Sequence, residues 1–179
     1  MMNKTFIISG EVHGGKTTYA AGLSKRLTDN GLQVTGFVCP GTFKNNHRNA
    51  FDLKFLHSGQ QMPFARAGHV DGWINYKRFS FNPEALYLGA KQLDAIENSE
   101  QTVVFVDEIG QWELEDGGWA EAIIGLMQNK KTMKILVVRK KFISKILEKF
   151  KIDSPIIFDI QQTSFDAACE HIMHFNLTH

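Results

Sequence analysis

Cysteine is almost absent from this chain: Cys39 and Cys169 are the only two in 179 residues, and neither lies in a CxxC or Cys/His spacing. That argues against a disulfide scaffold and a thiolate metal site, and both thiols read as small core residues of a reduced compartment. A charge surplus is missing too. Twenty basic side chains against 19 acidic ones leave a net charge of +1, which argues against a nucleic-acid or membrane surface as the main partner. Any anionic ligand has to be held locally. Long apolar runs are also lacking: none approaches membrane-spanning length, and the opening MMNKTFIIS is too short in apolar residues for a signal peptide. The expectation is a soluble, cytoplasmic protein.

What is present fits one globular domain over 1–179, since an apolar content of 43% in this length supports a sizeable core. Short β-branched runs read as strands at TFIIS (5–9), VTGFV (34–38), TVVFVD (102–107), KILVVR (134–139) and PIIFDI (155–160). Helical periodicity occupies 16–30, 83–97, 118–129, 141–151 and 164–175, with Asn82-Pro83 opening the second helix and Thr163 or Ser164 capping the last. Strand then helix, repeated, predicts a three-layer α/β/α fold around a mostly parallel sheet. Residues 40–81 break the rhythm and read as a β-hairpin insert with mobile loops. No internal repeat or low-complexity linker is visible.

Gly10, Glu11, Val12, His13, Gly14, Gly15, Lys16 and Thr17 satisfy GxxxxGK[ST], followed by Thr18, with a strand before the run and a helix after it. Glycines let successive backbone N–H groups converge on phosphate oxygens, and the helix N-terminus adds its partial positive charge to the same anion. Lys16 is placed to reach the β- and γ-phosphates of a nucleotide and Thr17 to ligate Mg²⁺. Downstream, TVVFVDEIG carries Asp107-Glu108 to the C-terminal edge of a strand, where open α/β sheets bind ligands. Asp107 would hold the magnesium shell through water, and Glu108 would polarise the water that attacks the γ-phosphate.

With both motifs in hand, the chain resembles the small nucleoside-triphosphatase family of P-loop proteins found in thermophilic microbes and in animals, including a cancer-related human member. The similarity runs through the loop at 10–17, GFVCP at 36–40, FSFN at 79–82 and DEIGQWEL at 107–114, which is similar to the family's DEIGxMEL. This resemblance implies a RecA-like fold and slow, Mg²⁺-dependent hydrolysis of ATP, GTP and other nucleoside triphosphates with loose base preference. By matched position, Lys16, Thr17, Asp107 and Glu108 carry over.

Two departures stand out. Where the family follows its GFxT segment with E-x-R, this chain has Thr42-Phe43, leaving Arg48 as the surviving basic residue; Trp112 replaces a methionine. Arg48, in an insert able to fold over the nucleotide, and Arg139, at the end of a predicted strand, are the two candidates for delivering positive charge to the γ-phosphate. Trp112 reads as core packing, as do the Tyr76–Phe81 aromatics. Three readings stay open: a triphosphatase, a small-molecule or nucleotide kinase with an acceptor pocket under the insert, and a nucleotide-dependent switch that binds a protein partner.

Overall fold

The computed structural model describes residues 5–45, 47–96 and 101–178; the opening four residues and Glu97, the last of one expected helix, lie outside them. In chain order the elements are β1 (Thr5–Gly10), α1 (Lys16–Asp29), β2 (Gln33–Val38), β3 (Gly41–Lys44), β4 (His47–Phe55), β5 (Gln61–Ala67), β6 (Ile74–Tyr76) and β7 (Phe79–Phe81). There follow α2 (Pro83–Asp94), β8 (Thr102–Ile109), α3 (Gln111–Leu114), α4 (Ala120–Gln128), β9 (Met133–Arg139), a 3-10 turn at Lys140–Phe142, α5 (Ile143–Lys149), β10 (Ile156–Asp159) and α6 (Phe165–Thr178).

The β-branched runs became the buried centre of one sheet because their residues alternate between two apolar layers. Phe6, Ile8, Val103, Phe105, Ile135 and Val137 meet Leu23 and Leu27 of α1 and Ala168 and Ile172 of α6. Their neighbours Ile7, Val104, Val106, Leu136 and Val138 turn to the opposite face, against Trp119, Ile123 and Leu126 of the α4 segment and Ile146 of α5. The helices begin where their caps permit: Asn82 Oδ1 accepts the Glu84 N–H at 3.0 Å ahead of Pro83, and Ser164 Oγ accepts the Ala167 N–H at 3.1 Å.

Strand order is β10-β1-β9-β8-β2-β4-β5-β7-β6, with β3 pairing β4 off that path. From β10 to β2 neighbouring strands run parallel, and from β2 to β4 onward they run antiparallel. The insert is therefore larger than a hairpin: five antiparallel strands, β3 to β7, prolong the main sheet through the β2–β4 pairing. It also lacks a separate core. Phe51 and Phe64 are buried in the same apolar layer as Trp119, and Phe64 stacks on that indole at a centroid distance of 4.7 Å. Arg66 pairs with Asp52 at 2.8 Å and donates to the Phe51 carbonyl, tying β5 to β4. Among the described residues no helix is long and apolar enough to cross a membrane.

One glycine governs how closely the parallel sheet can assemble. Gly36 in β2 has φ of 85°, and a Cβ there would sit 2.0 Å from the Phe105 carbonyl oxygen of β8. Backbone cannot retreat from that overlap without breaking the ladder, and a non-glycine residue in this region adds strain of about 1–3 kcal/mol. We expect Gly36→Ala to lower unfolding free energy by about 3 kcal/mol or more, measured by urea denaturation. A loss under about 1 kcal/mol would mean that β2 and β8 separate more easily than this register implies.

Candidate functional site

The parallel half of the sheet delivers both motifs to one edge. Beyond β1 the chain turns through His13, at φ 62°, and Gly15, at φ 88°, before α1 begins at Lys16. Left-handed backbone at these positions wraps the loop around the first turn of α1, whose N–H groups have no partner within the helix. Val12 through Thr18 line a cavity of about 530 Å³, joined on its far side by Val38, Phe43, Arg48, Glu108 and Arg139. Gly10 and Glu11 stand behind it and contribute carbonyls: Lys16 Nζ donates to them at 3.2 and 2.6 Å, which folds the ammonium over the loop. Burial, partly offset by Glu108, lowers the Lys16 pKa.

Asp107 sits under the loop, fully enclosed. Thr17 Oγ1 donates to its Oδ2 at 2.8 Å, the Cys39 N–H donates to the same oxygen at 2.9 Å, and the Glu108 N–H donates to Oδ1 at 2.7 Å. Burial first, and the neighbouring Glu108 charge second, push the Asp107 pKa up to about 6 against those three donors. The hydroxyl of Thr17 and this carboxylate are hard oxygen donors, a pair that suits Mg²⁺, which is held by one or two protein ligands together with substrate phosphates. No cluster of three or more His, Cys, Asp or Glu able to hold a metal occurs among the described residues.

Glu108 is aimed by a backbone irregularity. The β8–β9 register shifts between Val106 and Ile109, and Glu108 adopts φ of 59°, so its side chain leaves the sheet and faces the loop. There it meets Arg48 Nη1 at 2.7 Å and Arg139 Nη2 at 3.6 Å. Arg139 ends β9, as the strand expected over 134–139 implies. Arg48, expected on a mobile insert, is instead on β4 of the same sheet, between the rings of Phe43 and Phe51, its guanidinium 5.5 and 4.7 Å from their centroids. Phe43, at the position of the family's missing arginine, is thus part of the cradle that holds the remaining one. It also packs edge-on against His13 at 5.3 Å. The His13 pKa is lowered, by burial and then by Arg48, Arg139, Lys16 and Arg78.

A model of the NTPase family matches residues 5–173. The chain belongs to that family. Among the similar NTPase sequences, the nucleoside-triphosphatase THEP1 of Sulfolobus acidocaldarius is 27% identical over 174 residues, covering 96% of this chain and 94% of the relative. The THEP1 of Thermofilum pendens is 29% identical over 133 residues, or 73% of this chain and 71% of the relative. Two solved structures share the fold at 18% identity each. The solution structure of a human cancer-related nucleoside triphosphatase superposes with a TM-score of 0.73 over 100% of both chains. The crystal structure of THEP1 from Aquifex aeolicus gives 0.70 over 96% of this chain and 98% of that one. The three-layer fold expected from the alternating pattern is the fold of these neighbours.

Glu113, the last acidic residue of the family segment DEIGQWEL, was not singled out by sequence reasoning. It is buried, and its carboxylate accepts the Gly110 N–H at 2.9 Å and the Trp119 N–H at 3.4 Å, fixing the turn that follows Glu108. The only sequence signal was an acid at the third position of a short helix, which reads equally as a solvated cap. Burial pushes its pKa up to about 7, above the ordinary 4.5. The folded state therefore holds a proton that the unfolded state has released, so stability contributed by this group is complete below about 4.5 and is lost as pH rises through about 7. We expect Glu113→Gln to flatten the fall of unfolding free energy between these pH values by roughly 3 kcal/mol, measured by denaturant titration across the window. Parallel pH profiles for the two proteins would show that this carboxyl is ionised throughout.

Proposed function

We infer that this protein binds nucleoside triphosphates along Gly10–Thr18 and hydrolyses them to diphosphate and phosphate, with Glu108 positioning the attacking water. The observation that carries the reading is the convergence on one cavity of the Lys16 loop, the Thr17–Asp107 pair and Glu108 flanked by Arg48 and Arg139. Thr17 and Asp107 would hold Mg²⁺, the first directly and the second through water, and the ion neutralises charge on the β- and γ-phosphates when bound. Backbone N–H groups of the loop read phosphate without reading a base, and the chain contains no NKxD element for guanine, so ATP and GTP both serve as substrates.

The pairing of Glu108 with two guanidiniums gives a physical reason for slow turnover. A carboxylate whose oxygens are engaged by Arg48 and flanked by Arg139 is not free to orient a water. A γ-phosphate attracts both arginines, which frees the carboxylate while bringing positive charge to the oxygens where it develops in the transition state. Arg48 has a further donor in reserve, since its buried Nε has no hydrogen-bond partner among the described residues.

Phosphate release from ATP and from GTP, measured at saturating nucleotide, tests these roles. Lys16→Ala should weaken triphosphate binding and stop turnover, whereas Glu108→Gln should bind normally and lose about a hundredfold or more in rate. If Glu108→Gln stayed within twofold of the parent, Glu108 would not be the water-positioning group. In single-turnover assays, Arg48→Ala should lose at least about tenfold with near-normal nucleotide affinity, because an arginine aimed at the γ-phosphate contributes about 10³–10⁵ in related systems. Equal rates for Arg48→Ala, Arg139→Ala and the parent would move the stimulating charge to another chain.

A further inference from the structure

A second cavity, of about 420 Å³, lies across a wall from the phosphate loop. Val12, His13, Arg48, Glu108 and Arg139 line both spaces. Beyond that wall the chemistry changes. Trp112 and Phe81 pack against each other, tilted by 47° with centroids 4.5 Å apart, and Trp112 is backed by Tyr76, stacked on it at 5.0 Å and 12°. Phe79 and Phe142 complete an aromatic lining.

The rim of this cavity is cationic. Arg78 lies over the Phe79 ring at 4.7 Å and Lys141 over the Phe142 ring at 4.8 Å. Neither forms an ion pair among the described residues, where Lys149, Arg66 and Arg26 all do. The lining holds two acids, Glu108 and Glu113. The first is already matched by Arg48 and Arg139, and the second is buried and bonded to the Gly110 and Trp119 N–H groups, its pKa pushed up by burial to about 7. Positive charge is therefore unbalanced at the mouth of a space walled by aromatic faces. A volume of this size is in the range of small-ligand sites, which are lined mainly by apolar and aromatic groups with a few polar ones that fix orientation. Aromatic walls favour a planar ring, and paired cations an anionic substituent.

We propose that this cavity is a binding site for a small aromatic anion, its ring against Trp112 and Phe81 and its phosphate or carboxylate at Arg78 and Lys141. The site shares Val12 and His13 with the loop but places its anion at Arg78 and Lys141, away from Lys16, and does not depend on the hydrolytic reading. Its occupant would lie on the opposite side of Glu108 from the loop, in contact with the same two arginines.

Calorimetric titration with phenyl phosphate, phenol and inorganic phosphate tests it on the full chain. Phenyl phosphate should bind saturably, and at least about tenfold more tightly than either phenol, which lacks the anion, or inorganic phosphate, which lacks the ring. The double variant Arg78→Gln/Lys141→Gln should lose at least about tenfold in phenyl phosphate affinity, and both positions are exposed, so the fold should keep its melting temperature. Lys16→Ala should bind phenyl phosphate like the parent. Absence of saturable binding, equal binding of phenol, or loss of binding in Lys16→Ala with retention in the double variant would overturn the proposal, the last by assigning the anion to the phosphate loop. Phosphate release from ATP by the double variant, expected at the parental rate, keeps a failure of hydrolysis distinct from a failure of this site.

Discussion

The buried carboxylate of Asp107 is the constraint on which the rest of the site depends. Enclosing a carboxylate costs several kcal/mol unless its lone pairs are satisfied. Here the donors come from three places in the chain: the Thr17 hydroxyl at the start of α1, the Cys39 N–H just past β2, and the Glu108 N–H at the end of β8. Each bond fixes one element relative to β8, so the phosphate loop, the root of the insert and the bulge are positioned by a single group. That also explains the role of an otherwise inert cysteine. Cys39 is fully buried with its thiol pKa pushed well up, and the contribution it makes is its backbone N–H.

From that anchor the strain at Glu108 becomes intelligible. A left-handed glutamate costs about 1–3 kcal/mol, and it persists only where the surroundings over-determine it. Two bonds do so: its own N–H is held by Asp107, and its carboxylate is held by Arg48. The next turn is fixed in turn by Glu113 through the Gly110 N–H. A regular β8 would have alternated Glu108 onto a sheet face, whereas the bulge sends it along the strand axis towards the loop.

The parallel half of the sheet was legible in the sequence because β1, β8 and β9 are buried on both faces and so read as continuous apolar, β-branched runs. Every strand expected there is present within two residues at either end. The loop was legible because its chemistry needs glycine, lysine and threonine at fixed spacing. The insert was not, for its strands are interrupted by charge, and β6 and β7 have only three residues each. The register of β7 is set by pairing with β5 and that of β6 by pairing with β7, not by any local periodicity. Arg48 illustrates the same limit: its proximity to Glu108, 60 positions further on, arises from β4 pairing with β2 and β2 with β8, a contact that no window of sequence contains. Trp112, expected to pack in the core, packs on Tyr76 and Phe81 of the insert, but the cavity it lines required both segments to be placed.

Placing Arg48 on the sheet extension changes what the insert is for. An arginine delivered by a flexible segment must lose conformational freedom each time it engages, whereas one held between Phe43 and Phe51 has lost that freedom on folding. The substitution of Phe43 for a basic residue then has a consequence beyond a missing charge. It removes a competitor for Glu108 and supplies a ring that positions the guanidinium left behind. The five strands of the insert thus bring one cation and several aromatic faces to the Glu108 side of the loop, and Arg48, Glu108 and Arg139 line both the loop cavity and the aromatic one. A charge rearrangement at Arg48 and Arg139 is felt in both cavities, because the same guanidiniums line both spaces.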